Sequence, residues 1–124
     1  MEKLLWLGLA GGLGALSRYG LAGLVHRLYA GGFPLGTFVV NVAGCLAFGL
    51  LWGLFDARLA AGPQVQAAVL VGFMGAFTTF STYMYEGAEL LRQGQWIWGL
   101  AYLAGQNFLG LAALVLGMAL AKAV

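Results

Sequence analysis

Thr78, Thr79, Ser81 and Thr82 crowd into about a turn and a half of GFMGAFTTFSTYMYE, Gly72 to Glu86, inside a stretch otherwise apolar enough to cross a bilayer. A lipid-facing helix has no use for such hydroxyls, and irregular backbone at membrane depth persists only where it is buried in protein or lines a cavity. Gly75, Thr78 and Thr79 also weaken a helix. Glycine loses more backbone entropy on ordering, and the hydroxyls compete for backbone groups. A break here releases carbonyl oxygens, which suit a hard cation such as Na⁺. The alternative is an intact helix whose hydroxyls bond back to carbonyls one turn earlier.

Phe73, Phe77, Phe80 and Met84 recur at steps of four, three and four, the signature of one helical face, and Tyr83 follows Phe80 by three. Such a stripe either packs against a neighbour or presents ring edges, the positive end of the aromatic quadrupole, to an anion. Ring edges hold an anion weakly, as an ion that must leave as easily as it enters requires.

Three further polar positions interrupt apolar runs. Asn41, with Thr37 one turn before it, offers two amide donors and one acceptor and serves either as glue between helices or as a donor to an anion that sheds water. Arg18 either snorkels to the interface or lines an aqueous vestibule where its charge concentrates anions, because a guanidinium at that depth costs at least ~2.5 kcal/mol otherwise. On the last apolar run, Gly99, Tyr102, Gln106, Gly110 and Gly117 share a face too polar for lipid. That face packs against a neighbour or lines a path beside Asn41.

The elements that must position these residues follow from composition. The chain has 124 residues, 62% hydrophobic and 8% charged, with a mean hydropathy of +0.90, which leaves too little polar surface for a soluble globule. The runs lack the period-two alternation of a β-barrel, so the expected fold is all-α and integral to the membrane. Cutting at charges and turn residues predicts four spans in a single domain over 1–124: about 4–25, 34–55, 64–85 and 96–120. Each is near the ~20 residues a helix needs to cross the hydrocarbon core. The first is read as a retained helix and not a signal peptide, because Arg18 interrupts it and no small-residue cleavage site follows.

With four spans, Lys3, Arg58 and Lys122 fall on one side and Arg27 and Arg92 on the other, a weak orientation bias. Insertion in both directions, giving an antiparallel homodimer, is one outcome; orientation fixed by other factors is the other. The 21 glycines include small residues at helical spacing in every span, such as Gly49 and Gly53 or Gly110 and Gly117, which allow close helix approach and favour oligomerisation. Cys45 and His26 are each the sole residue of their type, so a cysteine or histidine metal cluster within one chain is excluded.

GGLGALSRYG, PLGTFVVNVAGC, GFMGAFTTFSTYMYE and the Tyr102-containing last span, in this order and spacing, resemble the Fluc (CrcB) family of small fluoride channels over nearly the whole chain. The resemblance implies antiparallel dual-topology homodimers of four-helix subunits, a third helix broken near its middle, two fluoride pathways, and a structural Na⁺ at the dimer interface. By motif position it assigns the Na⁺ carbonyls to Gly75 and Thr78, a pore-lining donor to Asn41 and one aromatic of the fluoride path to Phe80. Tyr83 stands where a second phenylalanine is usual, and Gln106 where a small hydroxyl residue is common. The expected fluoride pathway is thus Asn41, Phe80, Tyr83, Thr79, Ser81, Thr82, Tyr102 and Gln106, with Arg18 in a vestibule. Glu86, closing the motif, is either an aqueous access residue or an interfacial anchor.

The expected function is passive, fluoride-selective export from the cytoplasm through a multi-pass protein of the inner (plasma) membrane. Its partners are fluoride, lipid and an antiparallel copy, with no nucleic acid. An enzyme is disfavoured, because no carboxylate pair, nucleophile with a histidine base or metal-ligand cluster lies in the spans. The rivals are a proton-coupled multidrug-type exporter, which needs an ionisable carboxylate deep in the membrane, and a non-transporting assembly protein, which leaves Asn41 and the hydroxyl run without purpose.

Overall fold

A computed structural model of the chain describes residues 1–57 and 61–123. Those residues form helices and short connectors: α1 (Glu2–Leu28), α2 (Leu35–Ala57), α3 (Pro63–Gln66), a π-helical stretch π1 (Ala67–Met74), α4 (Gly75–Phe77), α5 (Phe80–Arg92) and α6 (Trp96–Ala123). Three stretches are long and apolar enough to cross a membrane: Leu35–Ala57, Pro63–Arg92 and Trp96–Ala123. The 27-residue α1 has the length but not the hydropathy, because Arg18 and its glycines dilute the leucines. Helices run beyond the expected spans at several ends, to Leu28, Ala57, Arg92 and Ala123, since helical hydrogen bonding need not stop where the apolar run does. Arg58, counted in the charge bias, lies outside the described residues.

Local chemistry sets the ends of these helices. Pro34 precedes α2 and Pro63 opens α3, positions where proline's missing N–H is no loss. The end of α5 is a tight reversal. Gly94 takes a φ of +76°, its N–H donates to the Leu91 carbonyl at 3.0 Å and that of Gln95 to the Leu90 carbonyl at 2.9 Å, a Schellman cap that only glycine enters without strain. α6 starts immediately afterwards and returns along α5.

α2 makes its broadest contact with α6. A methyl group on Gly49 would collide with the Leu114 carbonyl, and one on Gly117 with the Leu46 carbonyl, so the two backbones touch through these glycines, as small residues allow in membrane helices. α1 packs chiefly on π1. A core of Tyr83, Leu90 and Tyr102, flanked by Phe33, Phe38 and Leu103, joins α5 to α6 and α2. Leu13, Leu16, Ile97 and Leu111 are exposed outside it, as expected of side chains whose solvent is lipid.

Candidate functional site

The third span does break within the polar motif. α4 ends at Phe77, and Thr78 (φ −85°, ψ 161°) and Thr79 (φ −147°, ψ 116°) are extended before α5 resumes at Phe80. Thr79 is the N-cap of α5: its Oγ1 accepts from the Thr82 N–H at 3.3 Å and donates to Thr82 Oγ1 at 3.0 Å, satisfying one donor the helix start leaves free. Only Thr78 bonds back, through Oγ1 to the Met74 carbonyl at 3.2 Å. Gly44 on α2 lets the break approach, since a methyl there would overlap the Thr78 side chain.

The break is held by Asn41. The Thr79 N–H donates to Asn41 Oδ1 at 2.8 Å, and Asn41 Nδ2 donates to the Thr79 carbonyl at 3.0 Å and to Gln106 Oε1 at 2.7 Å. Both amide protons of Asn41 are thereby committed within the subunit. Carbonyls ahead of the break lose the donors an α-helix supplies four residues on, those of Gly75 and Thr78 among them. The Thr79 N–H that would serve Gly75 goes to Asn41, and the Thr82 N–H that would serve Thr78 goes to the cap. These are the two carbonyls that the family resemblance assigns to a cation. Gly75 lies on the subunit surface, with open space beside it.

The aromatic stripe is not continuous. Phe73 and Phe77 stack at 6.0 Å and 8° ahead of the break, while Phe80 pairs with Tyr83 at 5.6 Å beyond it. Two extended residues rotate α5 away from the face that regular helical counting assumes. Phe80 is 72% exposed, and Ser81 is exposed beside it. Tyr83 is buried against Tyr102, with ring centroids 5.7 Å apart. Its hydroxyl donates to the Leu103 carbonyl at 2.7 Å and accepts from Asn107 Nδ2 at 2.6 Å. The extra oxygen of Tyr83 is therefore anchored to α6. Asn107 was not singled out from the sequence, although it follows Gln106 directly.

Two cavities flank the break and share Thr79. One, of about 250 Å³, is lined by Arg18, Tyr19, Thr37, Thr79 and Thr82 among others; the second, of about 230 Å³, by Asn41, Phe80, Tyr83, Gln106 and Asn107 with Thr78, Thr79 and Cys45. Arg18 thus faces a cavity that reaches the break. Thr37 and Tyr19 also line a larger cavity of about 440 Å³ that includes His26 and Glu86. There Thr37 Oγ1 donates to Glu86 Oε1 at 3.0 Å and the Tyr102 hydroxyl donates to Glu86 Oε2. This three-residue connection ties Glu86 into the subunit and was missed from sequence. Its signal was three polar residues on separate helices, and spacing along the chain does not show that they meet. Among the described residues no group of three or more His, Cys, Asp or Glu side chains could hold a metal; the oxygen-rich place is the backbone of the break.

A small helical membrane protein with a broken span, its exposed backbone held by one asparagine between two polar-lined cavities, has the build of an ion-transport protein. Residues 5–118 match the family model for CrcB-like protein, Camphor Resistance (CrcB), and the chain belongs to that family. It is 54% identical over 124 residues, covering all of both chains, to a protein of Nitratidesulfovibrio vulgaris (strain DSM 19637 / Miyazaki F) named fluoride-specific ion channel FluC. A protein of the same name from Maridesulfovibrio salexigens is 47% identical over all of this chain and 98% of its own, and one from Nitrosococcus oceani 46% over 99% and 98%.

Proposed function

We propose that this protein is a passive fluoride-selective channel of the inner membrane that lets the anion leave the cytoplasm and so relieves fluoride toxicity. The observation that carries the reading is the break at Thr78 and Thr79, held by Asn41 and flanked by cavities lined with Arg18 on one side and with Phe80, Tyr83 and Gln106 on the other. Full-length likeness to proteins named fluoride-specific ion channels supports it.

In this reading α1 is the fourth span, and two copies insert in opposite directions to form a homodimer in lipid. The face carrying Gly75 and Phe80, exposed in one subunit, meets its counterpart there. The carbonyls of Gly75 and Thr78 fit a hard cation, because they are oxygen ligands whose helical donors are engaged elsewhere and hard cations take oxygen. Na⁺ held by this pair from each copy supplies a fixed positive charge at the subunit boundary. Arg18 concentrates fluoride at the vestibule, Thr79, Ser81, Thr82 and Tyr102 supply hydroxyls near its route, and the rings of Phe80 and Tyr83 offer edges as it sheds water.

Efflux from liposomes containing only the purified protein tests the reading, comparing fluoride with chloride, with and without a pH gradient. Fast fluoride efflux with chloride retained, and no need for a proton gradient, is the expected result; silence toward fluoride sinks it. The proton-coupled exporter has one candidate carboxylate, Glu86, which lines the largest cavity described. Strict dependence on the pH gradient selects that reading.

A further inference from the structure

α1 is long enough to span a membrane but falls short in hydropathy, and one of its faces shows what that polarity serves. Ala15, Arg18, Ala22 and His26 recur at steps of three, four and four, a single helical stripe. Ala15 and Arg18 line the 250 Å³ cavity that reaches Thr79 at the break, His26 lines the 440 Å³ cavity that includes Glu86, and Ala22 lines both. Tyr19 and Thr37 are shared in the same way. The two cavities are therefore adjoining parts of one polar-lined route, and α1 is its wall.

Arg18 and His26 stand on this wall ~12 Å apart along the axis, at the ~1.5 Å rise of an α-helix. Their chemistry differs. A guanidinium keeps its charge at any working pH, whereas imidazole is the side chain that ordinarily changes charge between about pH 5 and 8. The other ionisable groups facing the His26 cavity are Tyr19 from α1, Tyr29 from the segment after it and Glu86 from α5. The α2 residues there, Leu35, Gly36 and Thr37, carry none, and Arg27 lies outside the lining. Glu86 accepts through both carboxyl oxygens, so it presents negative charge to this cavity. We propose that His26 is the outer, pH-controlled collecting charge of the route: its imidazolium offsets Glu86 and speeds fluoride toward Arg18, and its neutral form leaves Arg18 to act alone. The inference rests on the fluoride-channel reading and adds regulation by pH without proton coupling, since the proton stays on His26 while the anion passes.

The test measures initial fluoride efflux from liposomes with equal pH on both sides, at about pH 5.5 and about pH 8, which bracket imidazole titration. Each pH is run at low and at saturating internal fluoride, with the leak from protein-free liposomes subtracted. A unit charge ~7 Å away across water changes the local concentration of an anion about two- to threefold. Low-fluoride efflux of the unaltered protein should therefore be about two- to threefold faster at the lower pH, while the saturated rate stays nearly constant. Raising the ionic strength with sodium gluconate should collapse that ratio, because exposed charges are screened.

His26 is exposed in the subunit, so substitutions there should leave the fold intact, which size-exclusion chromatography checks. At low fluoride, His26→Gln should be slow at both pH values and His26→Lys fast at both. Protonation of Glu86 is the sharp rival, because it changes the charge of the cavity in the same direction. A pH ratio that survives in His26→Gln assigns the response to Glu86 and overturns the inference. A pH-independent rate in the unaltered protein, or a slow His26→Lys, overturns it as well and leaves the channel reading intact. Absence of fluoride efflux from the unaltered protein at every pH removes the channel reading itself.

Discussion

Asn41 meets Thr79 as one peptide unit meets another in a sheet, accepting its N–H at 2.8 Å and donating to its carbonyl at 3.0 Å. A side chain from α2 thereby replaces the helical bonds that Thr79 gives up and fixes the break, while the Gly75 and Thr78 carbonyls keep no helical donor.

Asn41→Ala leaves both backbone groups of Thr79 and Gln106 Oε1 without their partner. At ~1–3 kcal/mol for an unsatisfied buried group, relaxation and water allowing, a loss of a few kcal/mol is expected. Thermal denaturation followed by size-exclusion chromatography should show a clearly lowered midpoint. Fluoride efflux should fall well below that of the unaltered protein, with some dimer surviving at low temperature. Normal efflux would remove Asn41 from any functional role.

The two aromatics of α5 should respond differently to substitution. Phe80→Ile removes a mostly exposed ring that touches Tyr83 and leaves the buried core in place, so folding should persist while fluoride flux drops severalfold or more. Tyr83→Phe keeps the ring but loses the hydroxyl bonds to Leu103 and Asn107, costing about 1 kcal/mol of stability with most of the flux retained. Efflux and melting measured on the same preparations separate the two patterns; equal losses of flux would contradict this division.

Gly49→Val or Gly117→Val should abolish assembly of a folded subunit, because either side chain meets a facing backbone carbonyl that cannot move aside alone. Overpacking of this kind costs ~1–3 kcal/mol and sometimes more. Gly75→Ala meets open space within the subunit and should fold. Recovery of monodisperse protein after detergent extraction reads out both results.

If Gly75 and Thr78 hold Na⁺ at the boundary between copies, exchanging all sodium for choline during purification and assay should slow fluoride efflux severalfold or loosen the dimer. Potassium, being larger, should restore less than sodium does. Identical efflux and dimer stability in sodium-free buffer would rule the ion out.

Glu86→Gln replaces one acceptor oxygen with an NH₂ that faces either Thr37 or Tyr102, both of which donate in the native pair. The hydroxyl that faces this NH₂ can turn to accept from it, so both contacts persist as neutral bonds without the carboxylate's charge, and a destabilisation of about 1 kcal/mol is expected. Thermal melts compared with Glu86→Asp, which keeps both acceptors on a shorter stem, test whether the acceptors or the reach matter.

Much of this site could be read from residue types along one element. Gly75, Thr78 and Thr79 marked the turn where the helix either breaks or bonds its hydroxyls back on itself, because their backbone preferences are local, and the apolar runs marked the helices for the same reason. The face-to-face glycines of α2 and α6 were also visible as small residues at helical spacing. The aromatic stripe misled, because counting from Phe73 to Met84 assumes an unbroken helix and the break resets the phase at Phe80. The destinations of Asn41, Gln106 and Glu86 were hidden for a different reason. Each is satisfied by a residue on another helix, and a chain read in one dimension shows the need for a partner without showing which partner arrives.

π1 places wider turns just ahead of the break, a geometry uncommon in helices and frequent near functional sites. A wide turn holds a residue that ordinary helical winding does not require, so this part of the span has slack in its winding. Taking up that slack would rotate everything downstream about the helix axis, with no loop lengthened and no end moved. The carbonyls of Gly75 and Thr78 and the ring of Phe80 are the first groups such a rotation would re-aim, which makes the third span a dial as well as a rod.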